Sequence, residues 1–304
     1  MASLDEVFAI AERAHIPAEV WHLKTAYKAN WGRMPDVLKR FDAARALAQA
    51  GVGHLHLVDH DELSWSNVGR HPLGAPSVRR NKAEELAAKL RSDYPHGRFE
   101  AFPVSAQAML ATDAECIGES HLVVSTMADW RAESRLNGWH CRRGRPMPVI
   151  YGWTEAHAAA GHAVAILREG GCLRCGFGRT GVPDFQVVEW LNDAGTTLEE
   201  PACGAHYQPY GPIELGFVTS LIAQFALECL LGKVILSSQR IYAARHPFIE
   251  ELGGRWSDSW VREYPAQING AVIVDREWPC SPCGGCRSQQ RQLAHPRPAD
   301  SGAV

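Results

Sequence analysis

The chain predicts an α/β fold: a mostly parallel sheet with flanking helices, then a mixed C-terminal half pinned by a zinc site. Three observations carry this. Short apolar runs alternate with helical-period segments in β-α-β-α-β order through the first half. The second half contains Cys172-Leu-Arg-Cys175 and Cys280-Ser-Pro-Cys283, two pairs spaced to share one tetrahedral metal. The composition is that of an ordinary globular protein: 304 residues, 46% hydrophobic and 21% charged. A chain of this length buries enough surface to fold without staples.

The elements follow from periodicity. Residues 1–42 read as an atypical helical segment, with Leu4, Val7, Phe8, Ile10 and Ala11 at helical spacing. Val37–Ala50 is a second helical stretch, stopped by Gly51. Gly53-His-Leu-His-Leu-Val-Asp59 alternates at first and is β-branched at its end, so it reads as a strand closed by an acid. Arg79–Arg91 places Ala83, Leu86, Ala87 and Leu90 on one helical face. Arg98–Val104 reads as a strand, Ala106–Thr112 as a short helix and His121–Thr126 as a buried strand. Ala132–Asn137 is helical, and Pro148–Gly152 and His162–Arg168 are strands. Gly211–Leu231 is a long apolar helix; Glu214, Gln224 and Glu228 interrupt it, which favours buried core over a membrane span. Ile268–Val274 is a late strand, and 287–304 reads as a disordered polar tail.

Charge and cysteines narrow the function classes. A net charge of -3 leaves no basic footprint for nucleic acid. Met1–Ala14 is acidic and amphipathic, unlike a secretory signal, and no purely apolar run reaches the ~18 residues of a membrane helix. Nine cysteines, mostly outside the two pairs, predict cytoplasmic thiols beside a metal site. Cys286 leaves the second pair open, since Cys283 and Cys286 have the same spacing as Cys280 and Cys283. Glu155-Ala-His157 through His162 has a metalloenzyme look. Its histidines are five apart, however, and a helix would point them in different directions. Trp130, Trp139, Trp153 and Trp190 read as core or pocket wall.

Asp59, at a strand end, is placed as ribose-binding acids are in nucleotide-binding α/β folds. Arg70 and Lys82 follow it and suit nucleotide phosphates, whose charge grows as pyrophosphate departs. The glycine-rich turn such a fold carries about twenty residues upstream is absent from Pro35–Asp42.

The string Gly51-Val-Gly-His-Leu-His-Leu-Val-Asp-His-Asp-Glu-Leu-Ser-Trp-Ser-Asn-Val-Gly-Arg-His71, then Asn81-Lys82-Ala-Glu84, resembles the core of the ThiF/MoeB-type adenylyltransferases, the bacterial relatives of ubiquitin-activating enzymes. Arg70-His71 resembles the branch found beside conjugating-enzyme-like and deubiquitinase-like genes. The resemblance implies a Rossmann-like adenylation domain over 43–286. The family's first strand and glycine loop are missing, the loop positions falling on Pro35, Val37, Leu38 and Arg40.

The resemblance also implies roles. Asp59 holds the ribose, Asn67, Arg70 and Lys82 face the triphosphate, and Asp129 holds Mg²⁺. The nucleotidyltransferase reaction is attack of a carboxylate on the α-phosphate of ATP, giving an acyl-adenylate. The partner is the C-terminal tail of a ubiquitin-like or sulfur-carrier protein. Cys203, in a Gly- and Pro-flanked loop near His206, is the candidate thioester nucleophile, with a conjugating-enzyme-like protein as the next acceptor. A homodimer is the family's expected assembly. Two other readings stand beside this one: a zinc-stabilised binding module without ATP turnover, and a nicotinamide-dependent oxidoreductase, which the absent glycine loop counts against.

Overall fold

In the computed structural model, the described residues are 19–23, 41–68, 71–112, 117–127, 129–178, 180–191, 198–199, 206–207, 212–265, 270–280 and 283. The expected N-terminal helix and the 287–304 tail fall outside them, as do Arg70, Cys203, Cys286 and the four loop positions 35, 37, 38 and 40.

One sheet organises the fold. Strand β1 (Glu19–Leu23) lies between β2 (His54–Val58) and β4 (Leu122–Ser125), parallel to both. β3 (Arg98–Phe102) pairs with β2, and β5 (Val149–Thr154) with β4, again in parallel. β6 (Ala160–Ile166), β10 (Ser238–Ala243) and β12 (Val272–Glu277) extend the sheet antiparallel. The spatial order is β12-β10-β6-β5-β4-β1-β2-β3. Small antiparallel pairs add β7 (Val188–Trp190) with β11 (Gly254–Trp256), and β8 (Leu198–Glu199) with β9 (His206–Tyr207).

β1 corrects the sequence reading. The first strand is not missing: Glu19-Val-Trp-His-Leu23, inside a segment read as helical, occupies an interior sheet position between β2 and β4. Five residues are too few to separate a two-residue from a 3.6-residue period. The pairing partners decide, and they lie far along the chain.

Strand alternation builds two cores. Leu55, Leu57, Leu122, Val124, Ile150, Ala163 and Ala165 face α1 (Phe41–Gln49), α3 (Lys82–Asp93) and α6 (Pro212–Leu230). Their neighbours Val58, Val123, Val149, Tyr151, Val164 and Ile166 face α4 (Ala106–Thr112) and α5 (Trp130–Arg142). A third cluster joins β7, β10 and β11 to α7 (His246–Glu251) and α8 (Asp258–Glu263) around Trp256 and Trp260. The short α2 (Trp65–Val68) follows β2.

α6 is long and apolar enough to cross a membrane by length and composition, yet half of it is buried in this fold. It packs across β6, β5 and β4 and against α1. Its Glu228 accepts from Arg240, 2.9 Å away, and Arg240 also grips Asp275 at 2.7 and 2.9 Å. The Arg240 guanidinium holds the Glu228 carboxyl below its usual range. Glycines let α6 approach the sheet. A Cβ on Gly161 would stand 2.3–2.8 Å from the Val218 side chain, and one on Gly152 would stand 2.5 Å from Ile222. Gly161→Ala is therefore expected to cost about 1–3 kcal/mol. Urea unfolding checks it; an unchanged midpoint would mean that α6 is not seated tightly on β6.

α3 begins at Lys82 rather than Arg79, because Asn81 caps it: its side chain accepts from the Glu84 amide at 3.0 Å. The last strand runs Val272–Glu277, later than the apolar pattern placed it, as pairing with β10 sets its bounds.

Candidate nucleotide site and thiolate cluster

The strand order reverses between β1 and β4, and crevices at such reversals, beyond the carboxyl ends of parallel strands, are where α/β folds bind ligands. Asp59 leaves the carboxyl end of β2 and is fully buried. Its Oδ1 accepts from the Asp61 amide at 2.9 Å, and its carbonyl accepts from Asn81 Nδ2 at 2.9 Å. Asn81 also donates to the Asp61 carbonyl, at 3.3 Å. One side chain thus caps α3 and ties it to the strand end.

This tie sets Lys82. Its amide donates to the Asp61 carbonyl at 2.9 Å, and its Nζ meets Asp61 Oδ2 at 3.1 Å. The Lys82 side chain is 2% exposed and that of Asp61 17% exposed. A lysine is almost never this buried without a partner. Asp61 belongs to the acid pattern of the strand end, but sequence reasoning gave it no task. The structure makes it the group that holds Lys82.

Asn67, on α2, is buried, with its Oδ1 3.4 Å from the Ser64 amide. Asp129, just beyond β4, is the N-cap of α5. Its Oδ1 accepts from the Arg131 amide at 2.9 Å, and its Oδ2 stands 3.5 Å from Gln107 Nε2. Asp59 and Lys82 are therefore joined through Asp61 and Asn81, while Asp129 is held by a separate set of contacts. Gln107 and Asp61 are the neighbours that spacing did not single out.

Trp130, the first residue of α5, stacks on Phe177 at 4.9 Å, and Trp153 meets Phe177 edge-on at 5.3 Å. Trp153 also stacks on the buried His162 at 4.8 Å. Trp139 lines a cavity of about 500 Å³ along α4 and α5, with Gln107, Arg135, Arg142 and Arg174. Trp190 lies against His157. His157 and His162 do not meet at one centre. His162 is on β6, with Nε2 2.8 Å from Glu155 Oε1 and Nδ1 2.9 Å from Gln239 Nε2. Glu155 also accepts the amides of Val187 and Val188, so this cluster anchors β7 to the sheet.

The cysteine cluster packs against α5 through Asn137 and Cys141. The Sγ atoms of Cys172 and Cys283 are 3.3 Å apart, those of Cys175 and Cys283 3.5 Å, and those of Cys172 and Cys175 4.0 Å. Thiolates around a tetrahedral zinc at ~2.3 Å stand roughly 3.8 Å from one another, so these three are spaced to hold such an ion. A tight turn at Leu173–Gly176 makes the spacing, closed by the Cys175 amide donating to the Cys172 carbonyl at 2.9 Å. Asn137 braces it: Nδ2 reaches Cys172 Sγ at 3.7 Å and Oδ1 accepts the Leu173 amide at 2.9 Å. Trp278 Nε1 donates to the Cys172 carbonyl at 2.8 Å. Gly171 is required here, since a Cβ would stand 1.9 Å from the Pro279 carbonyl oxygen. Cys280 is exposed and outside this group, whereas Cys141, which no spacing rule marked, packs against it. The Cys141 thiol is drawn down to about 7, chiefly by its hydrogen bond with Cys172, with Arg145 adding to the effect.

The chain is 28% identical over 192 residues to the ATP-dependent ubiquitin transferase-like protein Cap2 of Pseudomonas aeruginosa, a match covering 61% of this chain and 33% of that protein. It is 29% identical over 156 residues to the SAMP-activating enzyme E1 of Haloferax volcanii, covering 51% and 54%. The chain thus spans between a third and about half the length of these relatives. Among solved structures, E. coli MccB with AMPCPP and MccA superposes with a TM-score of 0.57 at 13% identity, covering 91% of this chain and 69% of that one. PaaA does so with 0.53 at 15% identity, covering 83% and 67%. These two likenesses show the fold. The ThiF family model matches residues 42–257, most of the chain, and the chain belongs to the ThiF family.

Proposed function

We propose that this chain adenylates the C-terminal carboxylate of a ubiquitin-like or sulfur-carrier protein with ATP. The observation that carries the reading is the buried Lys82, set by Asp61 and Asn81 beside Asp59 at the carboxyl edge of a ThiF-family sheet. Two relatives support the substrate class by their names, an activating enzyme and a ubiquitin-transferase-like protein.

In this reading Asp59 accepts hydrogen bonds from the ribose hydroxyls. Asn67, Arg70 and Lys82 face the triphosphate. The tail carboxylate attacks the α-phosphorus, an acyl phosphate bond forms, and pyrophosphate leaves. Lys82 Nζ, already desolvated, offsets the charge that builds on the leaving phosphates. Asp129 would hold Mg²⁺, which supplies further charge neutralisation when bound. Positioning of tail against nucleotide is the fold's contribution. A zinc ion on Cys172, Cys175, Cys283 and one further thiolate would pin the C-terminal segment to the middle of the chain, a structural task. Cys203 is the proposed nucleophile for a subsequent thioester, formed as AMP departs, with a conjugating-enzyme-like protein as acceptor.

ATP–pyrophosphate exchange that requires an added carrier protein tests the reading. Retained carrier binding with no exchange would replace it by the binding-module reading, which the glycine-free stretch 35–42 favours. The thioester step has its own outcome: a carrier adduct cleaved by thiol and absent in Cys203→Ala. An adduct that survives that substitution removes Cys203 from the reaction.

A further inference from the structure

We propose that His54, His56 and Glu100 form a second metal site, for one divalent transition-metal ion such as Zn²⁺, on the β2–β3 edge of the sheet. β2 alternates strictly. Leu55 and Leu57 enter the core under α1, α3 and α6, so His54 and His56 share the opposite face. Further into the sheet that face is apolar, carrying Val123, Val149 and Tyr151. Two adjacent imidazoles there are a departure from the pattern, and a buried imidazole needs a polar task.

Strand register supplies the third donor. His56 lies opposite Glu100 and His54 opposite Arg98. His54 Nε2 is 3.7 Å from Glu100 Oε1, and His56 Nδ1 is 3.7 Å from Oε2. The two imidazole rings are 4.1 Å apart, and Phe102 stacks on His56 at 5.6 Å, fixing that ring. One donor atom from each of the three residues lies within 4.8 Å of the others. Ligands at ~2.0–2.2 Å from a tetrahedral zinc stand roughly 3.3–3.6 Å apart, so each histidine–carboxylate spacing of 3.7 Å needs to close by only a few tenths of an ångström, while the two imidazoles draw together from within 4.8 Å.

The donor set selects the ion. Two imidazoles with one carboxylate suit Zn²⁺, Ni²⁺ or Cu²⁺, whereas Ca²⁺ and Mg²⁺ want oxygen throughout. Arg98 hydrogen-bonds Glu100 Oε1, the outer contact that orients a ligating carboxylate. The Glu100 side chain is 32% exposed, so solvent can fill the remaining position. His54 lies at the opposite end of β2 from Asp59, roughly 16 Å along the strand at ~3.3 Å per residue. The site is thus separate from the nucleotide edge, and its ion would clip the edge strand β3 to β2.

Isothermal titration with Zn²⁺ of protein already holding one zinc equivalent per chain tests this. The wild type is expected to take up one further equivalent. Glu100→Gln, at a half-exposed position that tolerates the change, is expected to weaken it by at least about tenfold, and His56→Ala to abolish it. Cys283→Ser should leave it in place. No further equivalent in the wild type, or uptake by Glu100→Gln as tight as by the wild type, overturns the proposal.

Discussion

Lys82→Met is expected to lower carrier-dependent ATP–pyrophosphate exchange by about 100- to 1,000-fold, the usual loss when a charge-stabilising donor is removed. The same substitution has a structural consequence. Lys82 is 2% exposed and its Nζ lies 3.1 Å from Asp61 Oδ2. Removing the cation leaves a largely desolvated carboxylate, at a cost of about 1–3 kcal/mol. The two effects separate in the double variant Lys82→Met/Asp61→Asn. With no charge left at the pair, stability should return, while exchange stays low. Recovery of exchange in the double variant would place Lys82 outside the reaction and make it a structural ion-pair partner.

Removal of zinc is the second large expected effect. Metal analysis of purified protein should give about one tightly held zinc per chain. At free zinc near 1,000 times the dissociation constant, binding to the folded state adds about 4 kcal/mol. For a domain of this size that corresponds to roughly 10 °C in melting temperature. Chelation or Cys172→Ser should remove that increment. Cys280→Ser should retain the zinc, because Cys280 is exposed and apart from the other thiols. Well under one zinc per chain in carefully purified protein would defeat the thiolate assignment.

Much of this protein was legible because its signals are local. The acid closing β2 and the Cys-x-x-Cys turn each depend on residues a few positions apart. The apolar runs of β4 and β5 were equally readable, since a sheet buried on both faces leaves continuous apolar runs. The candidate site residues Asp59 and Lys82 were read from the same short string and the family resemblance it carries.

What the amino-acid order determined by itself is therefore the element types from residue 41 to the late strand, the acid–cation string and the thiol spacing, all set by contacts within a few residues. Only the tertiary structure decided that Glu19–Leu23 is an interior strand between β2 and β4, that Asp61 holds Lys82, that Cys283 approaches the first cysteine pair while Cys280 stays apart from it, and that Glu100 faces His56. Each of these is a pairing between distant segments. Such pairings depend on strand register and helix packing across the whole sheet, and no local pattern encodes them.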